Sequence, residues 1–235
     1  MGPLRPLGGR ALWTVIALVA VIVTDFVAVW SDLQEIDLMN RLLDGEAVTE
    51  EELDENDARQ AVVALIQLAV FIAAAFFFIR WFHGAYSNLR ELGQPNLRYG
   101  TGWAIGAWFI PFFNLWRPKQ IANDIWRGSA PDAPTFAQED WKEAPVTTLV
   151  HLWWAAWIVA SIVGNVVARL WWSGNTPDEL KSAAQLDIVA SFLDVVAAVL
   201  AIAVVRAATS RQEERTRRIA TMPPAPSEPP GQGYA

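Results

Sequence analysis

The sequence predicts an all-α integral membrane protein with four transmembrane helices plus a short re-entrant or interfacial helical element. Three observations predict it. Of the 235 residues, 53% are hydrophobic and only 18% are charged, against about 45–50% and about 25% in soluble domains. The apolar residues fall in four blocks, and about 20 such residues make a helix that crosses a bilayer. The basic residues gather between and after these blocks in the pattern that sets membrane orientation. Cysteine is absent, which excludes disulfides, thiolate metal sites and cysteine nucleophiles. A net charge of −7 argues against a nucleic-acid partner.

The first span is residues 11–30, preceded by an N-terminal tail, 1–10, with Arg5 and Arg10 and no acid. Cytoplasmic flanks carry excess Lys and Arg, so this tail is expected inside. The apolar run is too long for a signal peptide and lacks a small-x-small cleavage site, which favours a retained anchor. Residues 31–60 hold eleven acids and only Arg41 and Arg59, which suits an outer loop. Within it, Thr49 followed by Glu52 matches a capping box, so a helix is expected to start there and run into the second span, 61–82. No register of this acidic loop fits a calcium-binding EF-hand, and a solvated face is the plainer reading.

Arg80, Arg90 and Arg98 follow the second span and are expected inside. A basic amphipathic helix should extend to Leu92 and stop at Gly93 and Pro95. The next apolar piece, 101–116, is short for a span and contains Pro111 and Asn114. Parity settles its place. The last span, 185–206, is followed by Arg206, Arg211, Arg215, Arg217 and Arg218, so the tail, 207–235, wants to be inside, and only an even number of crossings allows that. The element at 101–128 is therefore re-entrant or interfacial, and the third full span is 147–172. Gly102 and Gly106 form a small-xxx-small pair that would admit a neighbouring helix, as would Ala156, Ala160 and Gly164 in the third span. Pro118 and Gly128 bracket a surface helix with Ile121 and Ile125 on one face and Lys119, Asp124 and Arg127 as its polar residues. Trp30, Trp171 and Trp172 are expected in an outer aromatic belt, and Trp13, Trp81, Trp153 and Trp154 in an inner one. The proline-rich end of the tail is expected to be disordered. The whole is placed in the plasma membrane with both termini cytoplasmic.

Residues 80–129 carry the most distinctive text. Phe82-x-x-x-Tyr86-x-Asn88-Leu89 is followed by a run with Gly102, Trp103, Trp108, Pro111, Asn114, Leu115, Trp116, Arg117 and Pro118, then by Asp124-Ile-Trp126-Arg127-x-Ser. This pattern resembles the DUF4328 family of actinobacterial integral membrane proteins, a domain of unknown function, over about residues 60–206. The resemblance implies a membrane protein and no particular chemistry.

Ionisable groups inside a bilayer are functional candidates by default. Asp194 falls near the bilayer centre. Asp25, Gln67 and Asn165 fall in the outer half, and Asp187 and Arg169 nearer the outer surface. Ser191 lies between the two aspartates on their helix face. In a four-helix bundle these groups could converge, either as a structural cluster or as a proton or cation pathway. Arg90, Arg98, Arg117, Lys119 and Arg127 could hold anionic lipid headgroups. His83 and His151, the only histidines, could ligate a haem from facing helices, though large aromatic neighbours crowd that space. No cofactor is expected on balance.

Catalytic patterns are missing. There is no His-Glu-x-x-His or Gly-x-Ser-x-Gly, the glycines at 100–106 miss the dinucleotide spacing, and Ser161 and His151 stand about 15 Å apart along one helix. The sequence therefore favours a non-enzymatic scaffold or partner-binding module, with the bilayer and a protein partner or second copy as its contacts. A small conductor using the buried carboxylates is the alternative, and a bis-histidine haem protein the third reading.

Overall fold

The structure is a computed structural model and describes residues 4–94, 96–132 and 139–221. The proline-rich tail expectation lies outside the described residues. Four long helices carry the fold: α1 (Gly8–Leu43), α2 (Glu50–Glu91), α5 (Thr148–Ser173) and α6 (Pro177–Thr221). All four are long and apolar enough to cross a membrane. Between α2 and α5 lie α3 (Trp103–Gly106), a 3₁₀ turn (Phe113–Leu115), α4 (Arg117–Gly128) and a second 3₁₀ turn (Glu139–Lys142). No strand occurs among the described residues.

Local signals place the helix ends. Thr49 accepts from the Glu52 N–H while the Glu52 carboxylate accepts from the Thr49 N–H, a complete capping box, so α2 begins in the acidic loop and runs on as one helix of 42 residues. Thr176 and Glu179 repeat the device before α6. Gly45 and Gly93 supply the positive φ of the two turns that need it, 76° and 88°. At Gly93 the chain closes α2 with a Schellman motif: Gly93 N–H reaches Arg90 O and Gln94 N–H reaches Leu89 O.

The long helices pack as a row rather than a closed four-helix bundle. α1 lies against both α2 and α6, and α5 lies against α6. The contact stripe is alanine on α6, with Ala183, Ala184, Ala190, Ala197, Ala198, Ala201 and Ala208 buried, as suits helices that gain from close approach rather than from water exclusion. Of the stripe expected on α5 only Ala160 is buried, and Gly164 meets open space. Gly102 and Gly106 likewise meet open space, because no helix approaches α3 there. The close approach is made instead at Gly128, whose missing side chain leaves room for Leu89.

The alternation of chain direction gives the row a basic end and an acidic end. The acidic end holds the α1–α2 and α5–α6 turns, with Arg41 paired to Glu52 at 2.8 Å and to Glu46 at 3.4 Å. The basic end holds the 101–128 element, which enters and leaves on the same side. Tyr99 at its start donates to Gln120 Oε1 at 2.5 Å, so the intervening loop is closed at its base. Phe109 and Phe112, at 71% and 74% exposure, form its apolar tip, where Phe112 has φ 64°. Trp108 goes the other way and packs edge-on against Phe78, Phe82 and Trp157.

That insertion explains a departure from the aromatic-belt expectation. Trp13, Trp30 and Trp172 are exposed as belt residues should be. Trp81 and Trp153 are buried at 1% and 2%, in a cluster with Phe78, Phe82, Trp108 and Trp154. The Trp81 indole donates to Thr209 Oγ1 at 2.9 Å, a partner inside the protein rather than at a headgroup.

Beyond that cluster α6 continues and its side chains tie the end together. Arg215, 1% exposed, donates to Leu92 O at the end of α2 and to Ala130 O just past α4. Arg215→Met should therefore lower stability by about 3 kcal/mol, since each hydrogen bond to a charged group contributes about 1.5–3 kcal/mol. Arg217→Met, at an exposed pair with Glu214, should change it by less than about 1 kcal/mol. Thermal unfolding of the two variants in detergent reads the difference.

Candidate functional site

Buried polar groups form two layers, one towards each end of the row. At the acidic end, α1 supplies Ser31, Asp32 and Glu35, all buried. From α2, Asn56 donates to Glu35 at 2.5 Å. Gln60 accepts from Ser31 at 3.1 Å, and Arg59 reaches Ser31 at 3.1 Å and also bonds Asn56. Deeper in, Gln67 donates to Asp25 Oδ1 at 3.4 Å. Asp25 and Asp32 each keep a second carboxylate oxygen, Oδ2, without a hydrogen-bond partner among the described residues. On α6, Ser191 is buried and Asp194 is exposed, while Asp187 accepts from the Trp171 indole at 3.2 Å.

The sequence-predicted cluster is thus divided. Asp25, Gln67, Asp187, Ser191 and Asp194 fall on neighbouring helices of the row. Asn165 and Arg169 do not join them: both are exposed, and the Asn165 amide donates to Ser161 O on its own helix at 2.7 Å. The reason is the row itself: α5 packs along α6, and it meets α2 at the basic end, through Trp153 and Phe78. Asp32, Glu35 and Asn56 escaped the sequence reading because they sit in what reads as a solvated acidic loop. The signal was present as Asp32, Glu35 and Met39 at helical spacing, one face of a helix that outruns its span.

At the basic end, the family-motif residues build a second network. Tyr86 donates to Tyr99 O at 3.2 Å and accepts from Tyr99 N–H at 3.0 Å. Asn88 pairs with both backbone groups of Arg5, each at 2.9 Å, and donates to Gln212 at 3.3 Å. Gln212 in turn donates to Ala85 O at 2.8 Å and Ser129 Oγ at 3.0 Å. Asp124 is fully buried rather than on a wetted face, and Arg98 bonds it at 3.3 Å. Burial pushes the Asp124 carboxyl up, and the Arg98 charge pulls it back. The Arg117 guanidinium lies 3.7 Å from the Trp103 ring centre, 4.0 Å from Phe113 and 5.2 Å from Tyr99, an aromatic cage that holds a cation by its ring faces. Trp126 similarly carries Arg211 at 4.2 Å. Pro111 is exposed, Asn114 half-buried and Trp116 44% exposed, all on the tip side of the 101–128 element. Pro118 starts α4 as expected.

Of the basic residues weighed as headgroup contacts, Arg90 is free on the surface. Arg98 and Arg117 are taken by Asp124 and the aromatic cage. Arg127 donates to Ala144 O at 2.5 Å and Lys119 to Asn123 at 2.8 Å. The histidines sit in separate surroundings: His83 is 3.2 Å from an Arg5 nitrogen, whereas His151 is exposed beside Lys119. Among the described residues no group of three or more His, Asp or Glu is placed to hold a metal ion.

Burial, with a smaller contribution from the Arg127 charge, pushes the Lys119 ammonium down to about 8 from its ordinary 10.5. The folded protein then binds fewer protons than the unfolded chain between these two values. Stability should rise as pH climbs from about 8 towards 10.5, with the penalty fully present below about 8. The gain in thermal midpoint from pH 7.5 to 9.5 should be larger in the unmodified chain than in Lys119→Met, measured in the same detergent.

No curated protein and no solved structure matches the chain. A family model described as a domain of unknown function, DUF4328, matches residues 44–210. The match takes in the α1–α2 turn and all of α2 as well as the motif-bearing centre, well over half the chain. The chain belongs to the DUF4328 family.

Proposed function

We propose that this membrane protein is a non-enzymatic scaffold or partner-binding module of the plasma membrane, with both termini in the cytoplasm. One observation carries the choice of binding over conduction: an apolar band separates the two polar layers. Along α6, nothing buried and polar lies between Ser191 and Thr209 among the described residues. From Asp194 to Thr209 this is about 22 Å of helix at 1.5 Å per residue. On α2 the same band is Ala74, Phe78, Trp81 and Phe82, closed by Trp108 and Trp153. The motif residues meanwhile bond to several other segments, Asn88 to Arg5 and Gln212, Tyr86 to Tyr99 and Asp124 to Arg98, which is the behaviour of a rigid platform. The edge helices offer apolar faces to a partner or second copy: Leu65, Phe71 and Ile72 on α2 and Ile162 on α5 are 58–65% exposed.

The conductor reading keeps one specific support. Asp194 is exposed in the middle of a helix that spans the bilayer, and Asp25 Oδ2 is buried without a partner. A charge at that depth costs about 2.5–3.5 kcal/mol on insertion scales, so a purpose is worth testing. Protein reconstituted in liposomes should show no proton or cation flux above empty vesicles, and Asp194→Asn should alter thermal stability or assembly instead. Reproducible flux that Asp194→Asn abolishes while stability stays intact would overturn the scaffold reading.

The orientation follows from the clustering of Arg5, Arg10, Arg80, Arg90, Arg98 and Arg206 at one end. Single cysteines replacing Ala47, Ala133, Thr176 and Ala225 should react with an impermeant thiol reagent on intact cells only at 47 and 176. Labelling at 225 from outside would defeat it.

A further inference from the structure

At the basic end, outside the networks described above, a groove of about 450 Å³ opens between the start of α1 and the middle of α2. Its lining is Pro6, Gly9, Arg10, Trp13, Phe77 and Arg80. Two features stand together there. Arg10 and Arg80 face one space, and the Arg10 guanidinium donates to the Arg80 carbonyl at 3.4 Å. Arg5 lies beside them, held to His83. None of Arg5, Arg10 and Arg80 has a carboxylate within ion-pair distance among the described residues. Glu213 of α6 lies against Gly8 and makes no ion pair with any of them. The second feature is the floor. Trp13 and Phe77 stack at 5.9 Å with their planes 19° apart, and both belong to apolar stretches that cross the membrane.

We infer that this groove is a binding site for an anionic phospholipid, its phosphate between Arg10 and Arg80 and the start of its acyl chains along Trp13 and Phe77. Three guanidinium groups gathered without a counter-charge repel one another, and an anion between them removes that cost. The apolar floor selects the source of the anion. A soluble phosphate would use only the basic half of the groove, while a lipid seats its phosphate on Arg10 and Arg80 and runs its acyl chains along Trp13 and Phe77. Gly84 leaves room for the Arg10 guanidinium in this position, because a Cβ there would push its end aside. The inference rests on the four-helix membrane architecture and not on the scaffold role, so flux or partner results leave it standing.

The test is native mass spectrometry of the full chain in detergent, titrated with phosphatidylglycerol and with phosphatidylcholine of the same acyl chains. The unmodified protein should bind phosphatidylglycerol in preference. R10Q/R80Q should weaken that binding roughly 30-fold, at two lost surface charges, while R217Q should leave it unchanged. If the double variant does not fold, Gly84→Ala keeps every charge, displaces Arg10 and should weaken binding about tenfold. Equal affinity for the two lipids, or unchanged phosphatidylglycerol binding in R10Q/R80Q or, where that fails to fold, in Gly84→Ala, would overturn the proposal. So would glycerol phosphate competing as well as the lipid, which would make this a soluble-anion site, or a groove filled by a second copy and released only on dissociation of a dimer.

Discussion

Arg215 places a guanidinium inside the protein, where it takes up the carbonyls that end α2 and follow α4. A helix leaves its last four carbonyls without intrahelical partners, and burying them dry is costly. Here two helix ends converge on one side chain, and that side chain is delivered by a third helix. α6 must therefore run far beyond the bilayer, to 45 residues, in order to present Arg215, Gln212 and Thr209 at successive turns. The placement of α4, the exit of the chain from α2 and the docking of Arg5 on Asn88 all follow from that extension.

The family motif is explained by the same constraint. Trp81 and Asn88 share one face of α2 and Tyr86 lies on another, and each spends its polar atoms on a different segment: Thr209, Arg5 with Gln212, and Tyr99. A network whose members are all satisfied specifies one arrangement, because any shift leaves a buried donor unpaired. The 101–128 element is then held at its base by Tyr99 and Gln120 and pinned to the aromatic cluster by Trp108, while its aromatic tip, Phe109 and Phe112, stays exposed.

The acidic end of the molecule is built on a different principle. Carboxylates from α1 and α6 approach one another with amides and a single arginine from α2 as their partners. An apolar band of alanines and aromatics then separates this layer from the basic end. Such a division confines the buried carboxylates to one end of the row.

Much of this was legible in the residues themselves. Span number, the capping box at Thr49, the stop at Gly93, the start at Pro118 and the parity of crossings all follow from local rules of hydropathy, charge and backbone geometry, which need no tertiary partner. The candidate site was legible only in part. Asp25, Gln67 and Asp187 were found because a polar residue in an apolar run declares itself. Glu35, Gln212 and Arg215 were hidden because a polar residue in a polar run looks solvated until another helix covers it. The sequence alone determined which four segments are long and apolar enough to cross a membrane. The tertiary structure alone decided that the helices form a row, and so that α5 keeps Asn165 and Arg169 away from the aspartates of α1. It also decided that Trp81, Trp153 and Asp124 face inward. The physical reason is that hydropathy fixes how deep a residue sits, whereas its facing direction depends on which helix packs beside it, and that is settled by contacts between residues distant in the chain.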